Sequence, residues 1–194
     1  DLLLGNPPWI GSDWNDSVIL SEIEPLLGVR ENKSAEYNQK RIGLITPLEN
    51  KKYYSYFYRI SVGFSSFLSS NRLYHALERI RNNLYKIFII RSWDLIGETG
   101  VGGLLHPDGI FDDTRGGLLR KEYYCRLRSH FHFRNELRLF PDVDHHVSFG
   151  VNIFSGKQGF INFLSIYNLF KPSTIEACIN HNQRFETVPG IKTE

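Results

Sequence analysis

The amino-acid sequence predicts an α/β fold, in which strands and helices alternate along the chain and the sheet ends in an antiparallel hairpin at its edge. Three observations predict this fold. A short apolar run at 2–4 stops at a glycine and two prolines, an apolar helical stretch spans 83–96, and two alternating runs surround a turn at 141–144. The chain has 194 residues, which is enough for one domain of ordinary size.

The first half of the fold is predicted as strand, helix and strand. An apolar run that stops at Gly-Asn-Pro-Pro, here at 2–4, is typical of a buried parallel strand that ends in a tight loop. The apolar stretch at 83–96 is predicted to be a helix, with Gly97 as its carboxyl-terminal stop. The next strand is predicted at 101–105, and His106-Pro107-Asp108-Gly109 after it has the composition of a turn.

The second half is predicted to add a helix and the hairpin. Residues 114–130 are predicted to be helical, with one apolar side made of Leu118, Leu119, Tyr123 and Leu127. Apolar and polar residues then alternate over 131–139 and over 147–153, which is typical of two paired strands with a loop between them. Residues 156–194 receive no structural assignment.

The charge is unevenly distributed, although the net charge is only +2. Residues 1–39 carry seven acids and two bases, and residues 40–92 carry two acids and ten bases. Residues 93–194 are nearly balanced, with twelve acids and eleven bases. The basic part of the chain therefore lies in its middle.

Residues 10–82 are predicted to be a long basic insertion, rich in aromatic residues and with only scattered helical stretches. Within it, Lys51, Lys52 and Arg59 surround a run of tyrosine and phenylalanine. Basic groups neutralise phosphates and aromatic rings stack on exposed bases, so these three residues are predicted to contact nucleic-acid phosphates. A solvated basic face over a tyrosine-rich core is an equally good interpretation.

Several classes of protein are excluded by composition. No apolar run reaches the roughly 18 residues that a membrane helix needs, and no signal-peptide pattern opens the chain. Cys125 and Cys178 lie far apart and form no CxxC pair, so neither a disulfide scaffold nor a cysteine zinc site is expected, and a cytoplasmic setting is predicted. The sequence has no methionine and begins inside an apolar run, so we expect it to be part of a longer protein.

The residues after the first strand, Asn6-Pro7-Pro8-Trp9, are suited to activating a planar exocyclic amino group. Ligands of open α/β sheets bind outside the carboxyl ends of the strands, where this tetrapeptide falls. An adenine amino group is a poor nucleophile because its lone pair is delocalised into the ring. The Asn6 side-chain oxygen and the Pro7 carbonyl could each accept one N–H hydrogen bond and aim the lone pair at an incoming methyl group.

The other two residues of the tetrapeptide have supporting roles in this hypothesis. Pro8 stiffens the loop, and Trp9 stacks on a base that has left the duplex. A strand-terminating loop with a buried tryptophan is the structural alternative.

The sequence resembles the amino-group DNA methyltransferases, in particular the large adenine-specific enzymes of type IIG restriction–modification and phage-exclusion systems. Gly5-Asn6-Pro7-Pro8-Trp9 matches the Asn-Pro-Pro-aromatic motif that ends the fourth strand of the family's Rossmann-like sheet. The resemblance extends to 84–96, 102–109 and 131–154, whereas 10–82 match only as an insertion. It implies direct methyl transfer from S-adenosylmethionine to a flipped adenine in double-stranded DNA, without a metal or a covalent enzyme intermediate.

The resemblance also implies that part of the site lies elsewhere. The family builds its S-adenosylmethionine site from a glycine loop and an acidic residue that both precede the Asn-Pro-Pro segment. We therefore expect the cofactor-binding residues mainly upstream of Asp1. Residues 1–155 are predicted to be a partial class I methyltransferase domain, and 156–194 the start of a further segment.

Other chemistries are less well supported. Cytosine-C5 methylation needs a cysteine nucleophile, usually after proline, and neither cysteine follows one, so each is predicted to be a small buried residue. His106-Pro107-Asp108 either lines the pocket or forms a plain turn, and the turn is favoured. Two acidic groups stand out as metal candidates, but such groups in loops are more often solvated turns, and no metal is expected. They are Asp112-Asp113 and the set Asp142, Asp144, His145 and His146.

The sequence thus predicts an adenine-N6 DNA methyltransferase of a restriction–modification or phage-defence system. Two other functions stay open. In the first, the methyl acceptor is RNA or a protein glutamine side chain, both of which present a planar amino nitrogen. In the second, the chain is a truncated remnant that binds DNA without catalysis. The basic insertion favours a nucleic acid over a protein acceptor.

Overall fold

A mixed five-stranded sheet forms the centre of the molecule, for which a computed structural model describes residues 1–29, 34–70, 72–78 and 80–181. The strands lie in the order β1-β2-β4-β3-β5. They are β1 Leu2–Gly5, β2 Val101–Pro107, β3 Leu127–Arg134, β4 Ser148–Phe154 and β5 Leu164–Leu169. β1 runs parallel to β2 and β5 parallel to β3, whereas β4 is antiparallel to both of its neighbours. The α/β class predicted from the sequence is confirmed, and the sheet is compatible with a Rossmann-like fold.

The helices lie between β1 and β3 and after β5. They are α1 Asp16–Ser21, α2 Leu26–Val29, α3 Ser34–Ile45, α4 Leu48–Leu68, α5 Leu84–Ile96, α6 Gly109–Asp112, α7 Gly117–Tyr124 and α8 Ser173–Ile179. Two short 3-10 helices cover His75–Leu77 and Asn135–Leu137. No helix within the described ranges is both long and apolar enough to cross a membrane.

The predicted helix at 83–96 is confirmed as α5, and both of its ends follow from the sequence. The Asn83 side chain accepts a hydrogen bond from the Tyr85 backbone N–H, which caps the first turn. Gly97 ends the helix with a φ of 61°, in the region that favours glycine. Between these caps, Ile89 and Trp93 are buried against the sheet.

The two faces of the sheet carry separate apolar clusters. One face packs against α5 and α7 and buries Leu104 of β2 and Phe154 of β4. The other face buries Phe133 of β3 and Phe149 of β4, with Trp9 packed beside them. Because side chains alternate along a strand, neighbouring residues of β2 and β4 project toward different clusters.

The predicted hairpin is confirmed, but its boundaries were wrong. β3 and β4 pair antiparallel from Leu127 to Arg134, so the strand begins inside the segment predicted as helix 114–130. The spacing of Leu127 after Tyr123 fits a helix, yet α7 ends at Tyr124 and Leu127 enters the same apolar cluster as a strand residue. The strand also stops before 139, because Leu137 lies in a 3-10 turn and its side chain is 55% exposed.

Two further expectations about the sheet are corrected. The antiparallel strand β4 lies inside the sheet, because β5 pairs with β3 and takes the edge position. β1 was expected to be buried, but it is the other edge strand, and Leu2 and Leu4 are 70% and 72% exposed. Residues 156–181, which had no assignment, contribute β5 and α8.

The insertion is rooted directly beside the tetrapeptide. The Leu84 N–H donates to the Ile10 carbonyl at 2.9 Å, and Gly11 forms a β-bridge with Asn83, so the two ends of residues 10–82 meet. The helices α1, α3 and α4 are joined by a polar contact. Within it the Asp16 carboxylate accepts from the Tyr54 hydroxyl at 2.6 Å and lies 2.7 Å from the Arg41 guanidinium.

Candidate functional site

The tetrapeptide Asn6–Trp9 lies at the carboxyl end of β1. Because β1 pairs parallel with β2, with Gly5 opposite Leu104, both strands end at the same edge of the sheet. Asn6 and Pro8 are exposed, Pro7 is buried and Trp9 is half-buried. The amide of Asn6 is therefore accessible at the edge where open α/β sheets bind ligands.

Two clefts flank the tetrapeptide. The first, which we call the Trp9 cleft, has a volume of about 280 Å³ and is lined by Asn6, Pro7, Pro8, Trp9, Phe140 and Val143. The second, the β1 cleft, has a volume of about 360 Å³ and lies between β1 and α5, where Asn6 and Arg91 are among its lining residues. Asn6 borders both clefts.

The Trp9 cleft has an aromatic floor. The Trp9 ring lies 5.9 Å from Phe140 in an edge-on arrangement and 6.0 Å from Phe149. Phe140 and Phe149 are themselves 5.0 Å apart. The Trp9 Nε1 is buried and has no hydrogen-bond partner among the described residues, so packing and not a polar contact fixes the indole.

Phe140 and Val143 were not predicted as site residues. They lie in residues 135–147, which we call the hairpin loop, because these residues connect β3 to β4. The sequence signal that could have found them is the position of the loop. β4 pairs with β2, and Phe149 at the start of β4 is opposite Pro107 at the carboxyl end of β2. A loop that leads into this end of β4 must pass near the end of β1.

The predicted phosphate-binding residues lie on α4. Lys51, Lys52 and Arg59 are all exposed, and at 100° per residue they fall within an arc of about 100° on one side of the helix. Tyr53, Tyr56 and Tyr58 are also exposed, at 39%, 56% and 44%, whereas Tyr54 is half-buried and packs against Trp14.

His106 belongs to the core and to neither cleft. β2 continues to Pro107, so the turn predicted at 106–109 begins later than expected. The Nδ1–H of His106 donates to the Pro107 carbonyl at 2.9 Å. Its Nε2 accepts from the Tyr123 hydroxyl at 3.1 Å and from the Asn152 side-chain amide at 3.0 Å. Complete burial lowers the pKa of His106 to about 4, so its ring is neutral near pH 7.

Asp108 lies on the same face of the sheet, next to two histidines of β3. Its carboxylate lies 3.4 Å from His132 Nε2 and 3.9 Å from His130 Nε2, and neither oxygen has a hydrogen bond from the described residues. Gly150 permits this approach, since a Cβ there would lie 2.7 Å from Asp108 Oδ1. Burial, with a smaller contribution from Asp112, raises the pKa of Asp108 to about 7.

The hydrogen bonds of the two histidines determine what faces Asp108. His130 Nδ1 lies 2.7 Å from the Asn152 side-chain oxygen and must donate to it, which leaves a lone pair on Nε2. His132 Nδ1 accepts from the Asn168 backbone N–H at 3.2 Å, which puts the proton on its Nε2. Burial lowers the pKa of both histidines, so Asp108 in its protonated form faces one acceptor and one donor.

The structure brings three of the four metal candidates at 142–146 together. Asp144, His145 and His146 are exposed and have potential ligand atoms within 4.8 Å of one another, whereas Asp142 is not part of this group. Asp144 accepts from the His146 backbone N–H at 2.7 Å, and this contact holds the local turn. Hydrogen bonds from His146 lower the pKa of Asp144.

The remaining candidates have structural roles. Asp113 pairs with the buried Lys86 at 2.9 Å, so Asp112 and Asp113 are not a matched carboxylate pair. Cys125 and Cys178 are free thiols, and each is partly exposed, which corrects the expectation that they are buried.

Comparisons with known proteins give a limited result. No protein-family profile and no curated protein matches the chain. Among solved structures, it is similar to chains in a cryo-EM structure of a DrdV–DNA complex, at 13% identity over 85% of this chain, and in the ATP-dependent Type ISP restriction–modification enzyme LlaBIII bound to DNA, at 10% identity over 86%. Both similarities have a TM-score of 0.43, and this chain spans only 14% and 10% of the length of those chains.

Proposed function

We propose that the chain forms the target-amine side of an adenine-N6 DNA methyltransferase that acts in a cytoplasmic restriction–modification or phage-defence system. The observation that carries the proposal is the Trp9 cleft. An accessible asparagine amide and a rigid Pro-Pro loop stand beside an aromatic slot at the carboxyl edge of an α/β sheet. This combination suits a planar base whose amino group must be held and activated.

The chemistry follows from the acceptors at the rim of the cleft. The Asn6 side-chain oxygen and the Pro7 carbonyl each accept a hydrogen bond from one N–H of the adenine amino group. This draws its nitrogen towards a tetrahedral shape. The lone pair then points out of the ring plane, and an N–C bond forms as the methyl group leaves the donor sulfur. The nitrogen gives up one proton to water, so no covalent enzyme intermediate is needed.

The shape of the cleft favours a single base. Its volume of about 280 Å³ is near the lower end of ligand pockets, roughly 300 Å³, and too small for a base pair with its backbone. Trp9 and Phe140 provide aromatic surface on which a flipped base stacks, at a gain of about 1–3 kcal/mol per base. The target adenine therefore enters the cleft after leaving the duplex.

S-adenosylmethionine is the methyl donor in this proposal, and it supplies an electrophilic methyl group. The tetrapeptide fits the neighbourhood of such a donor because Asn6 also borders the β1 cleft. We propose that residues upstream of Asp1 complete the donor side against β1, an edge strand whose Leu2 and Leu4 are exposed. The chain's own residues orient the acceptor.

The test is transfer of a labelled methyl group from S-adenosylmethionine by the full-length natural protein. Unmethylated plasmid DNA, total RNA and a protein extract are offered as separate acceptors. Label on DNA that is recovered as N6-methyladenine supports the proposal. Label on RNA or on glutamine keeps the amine chemistry and changes the substrate, and no label from folded protein leaves the DNA-binding remnant as the function.

The basic residues of α4 give a second measurable expectation. Replacing both Lys51 and Lys52 by alanine is expected to weaken DNA binding and to flatten its salt dependence. Each lost phosphate contact should lower the slope of log K against log salt by about 0.9. Fluorescence anisotropy with a labelled duplex between 50 and about 300 mM salt measures this slope.

The matched control removes the same charge elsewhere. Lys121 and Lys171 are also exposed, and they lie away from α4, on α7 and just before α8. The Lys121→Ala, Lys171→Ala double variant should keep the wild-type slope to within the error of the measurement. Equal slopes for the two double variants would contradict the prediction that Lys51 and Lys52 of α4 contact the DNA phosphates.

A further inference from the structure

We infer that Asn135 is a positioning residue that holds the hairpin loop in the shape that closes the Trp9 cleft. This inference rests on the proposed function, because it concerns the same cleft. Asn135 does not line the cleft itself. It acts through Phe140 and Val143, the two residues of the loop that do.

Asn135 is fully buried and lies at the base of the loop. Its side-chain NH2 donates to the Phe140 carbonyl at 2.9 Å and to the Val143 carbonyl at 2.8 Å. Its side-chain oxygen accepts from the Phe140 backbone N–H at 3.0 Å. This one side chain therefore holds the backbone of both lining residues. It holds Phe140 through both its N–H and its carbonyl.

The loop backbone forms short local turns, in which the Val143 N–H donates to the Phe140 carbonyl at 3.2 Å and the Val147 N–H donates to the Asp144 carbonyl at 3.0 Å, and the Asn135 side chain joins these turns to the base of the loop. It contains one 3-10 turn, and Arg138 follows with a φ of 52°. Its two ends are joined where the Asn135 N–H donates to the Val147 carbonyl at 3.2 Å. Without the Asn135 side chain, the Phe140 carbonyl would keep its hydrogen bond from the Val143 N–H at 3.2 Å. The Val143 carbonyl and the Phe140 N–H would each lose the hydrogen bond to Asn135, at a cost of about 1–3 kcal/mol for each group that stayed buried.

Only asparagine has the right donors and acceptor at this length. Aspartate has the same size but donates nothing when ionised, and it would place a negative charge against two carbonyl oxygens. Alanine removes all four side-chain hydrogen bonds, including a longer one from the NH2 to the Asp144 carbonyl at 3.4 Å. Leucine fills the space but leaves the Val143 carbonyl and the Phe140 N–H without their side-chain partner.

The fixed loop in turn sets the aromatic slot. Phe140 packs edge-on against Trp9 at 5.9 Å and against Phe149 at 5.0 Å. If the loop backbone moves, Phe140 loses its place and the cleft loses one wall, while Asn6 and Pro7, which follow β1 directly, stay where they are. Release of Asn135 should therefore weaken capture of the base without removing the groups that activate its amine.

The expected result is a change in KM with little change in kcat. In the full-length protein, Asn135→Ala and Asn135→Asp should each raise KM for unmethylated plasmid DNA about tenfold and change kcat less than threefold, because uniform binding is lost. The KM for S-adenosylmethionine should stay within twofold. An unchanged KM for DNA in both folded variants would overturn the inference.

The matched control is Asn152→Ala. Asn152 is also fully buried and hydrogen-bonded, but its partners are His130 and His106 on the other face of the sheet. Both Asn152→Ala and Asn135→Ala should lower Tm. Asn152→Ala, however, should leave the KM for DNA unchanged. An equal rise in KM for both variants would show general destabilisation and overturn the positioning role.

A measurement on the wild type keeps the inference testable if the variants do not fold. The Phe140 amide lies outside any strand, yet its hydrogen bond to Asn135 should slow its exchange with solvent at least tenfold relative to the Asp142 amide in the same loop. Fast exchange of the Phe140 amide overturns the inference. Wild-type protein that transfers no methyl group overturns the proposed function instead, and the exchange result then stands for the loop alone.

Discussion

The Asn6→Ala variant of the full-length protein is expected to lose methyl transfer almost completely. The side-chain oxygen of Asn6 accepts a hydrogen bond that strengthens as the adenine nitrogen becomes tetrahedral, so its loss affects the transition state more than the ground state. Removing one such preorganised group typically lowers kcat by about 10²–10³. Single-turnover transfer of labelled methyl to unmethylated plasmid DNA measures the effect.

Stability is not expected to confuse this result. Asn6 is exposed at the end of β1, so alanine there removes little buried surface, and Tm should stay within about 2 °C of the wild type. Asn6→Asp keeps an acceptor oxygen and should retain more activity than Asn6→Ala. Asn38→Ala, at an exposed position on α3, is the matched control and should be fully active. Full activity of Asn6→Ala would contradict the proposed role of the tetrapeptide.

The parts of the fold that sequence reasoning predicted are those with local signals. The caps Asn83 and Gly97 mark both ends of α5, and both lie within a few residues of the predicted limits. The end of β1 was predicted from the Gly-Asn-Pro-Pro sequence alone. Each of these features depends on the conformations of neighbouring residues, which the residue types themselves restrict.

The parts that were missed depend on contacts between distant residues. Phe140 lies between the alternating run at 131–139 and the predicted turn at 141–144, and nothing near it in sequence shows that its ring packs against Trp9. Leu127 fits a helical spacing with Tyr123, and only pairing with β4 makes it a strand residue. The sequence around Asp108 predicts a turn. In the structure its carboxylate is buried, because it lies close to Gly150 of β4 and to the histidines of β3.

Asp108 leads to the second large expected effect, which is on stability. Burial raises its pKa to about 7 in the folded protein, against about 3.9 in an unfolded chain. The folded state therefore binds the proton more tightly, and the stabilisation is fully present below about pH 4 and lost as pH rises to about 7. Three pK units correspond to a loss on the order of 4 kcal/mol in the free energy of unfolding.

Asp108→Asn is expected to remove this dependence. An asparagine amide is neutral at every pH and presents a donor and an acceptor to His130 Nε2 and His132 Nε2–H, as the protonated carboxyl does. The variant should match the wild type near pH 4 and be more stable than it at pH 8, by an amount on the order of 4 kcal/mol. Urea unfolding at pH 4, 6 and 8 measures the difference between the two proteins at each pH.

His106 has the opposite sign and cancels in this comparison. His106 has its pKa lowered to about 4, so its contribution is present above about pH 6.5 and is lost as pH falls towards 4. This loss is common to the wild type and to Asp108→Asn, so the difference between them reports Asp108 together with its coupling to His130 and His132. Asp142→Asn, at an exposed position in the hairpin loop, is the control and should follow the wild type at every pH. A constant difference between Asp108→Asn and the wild type from pH 4 to 8 would mean that folding does not raise the pKa of Asp108, and it would contradict this prediction.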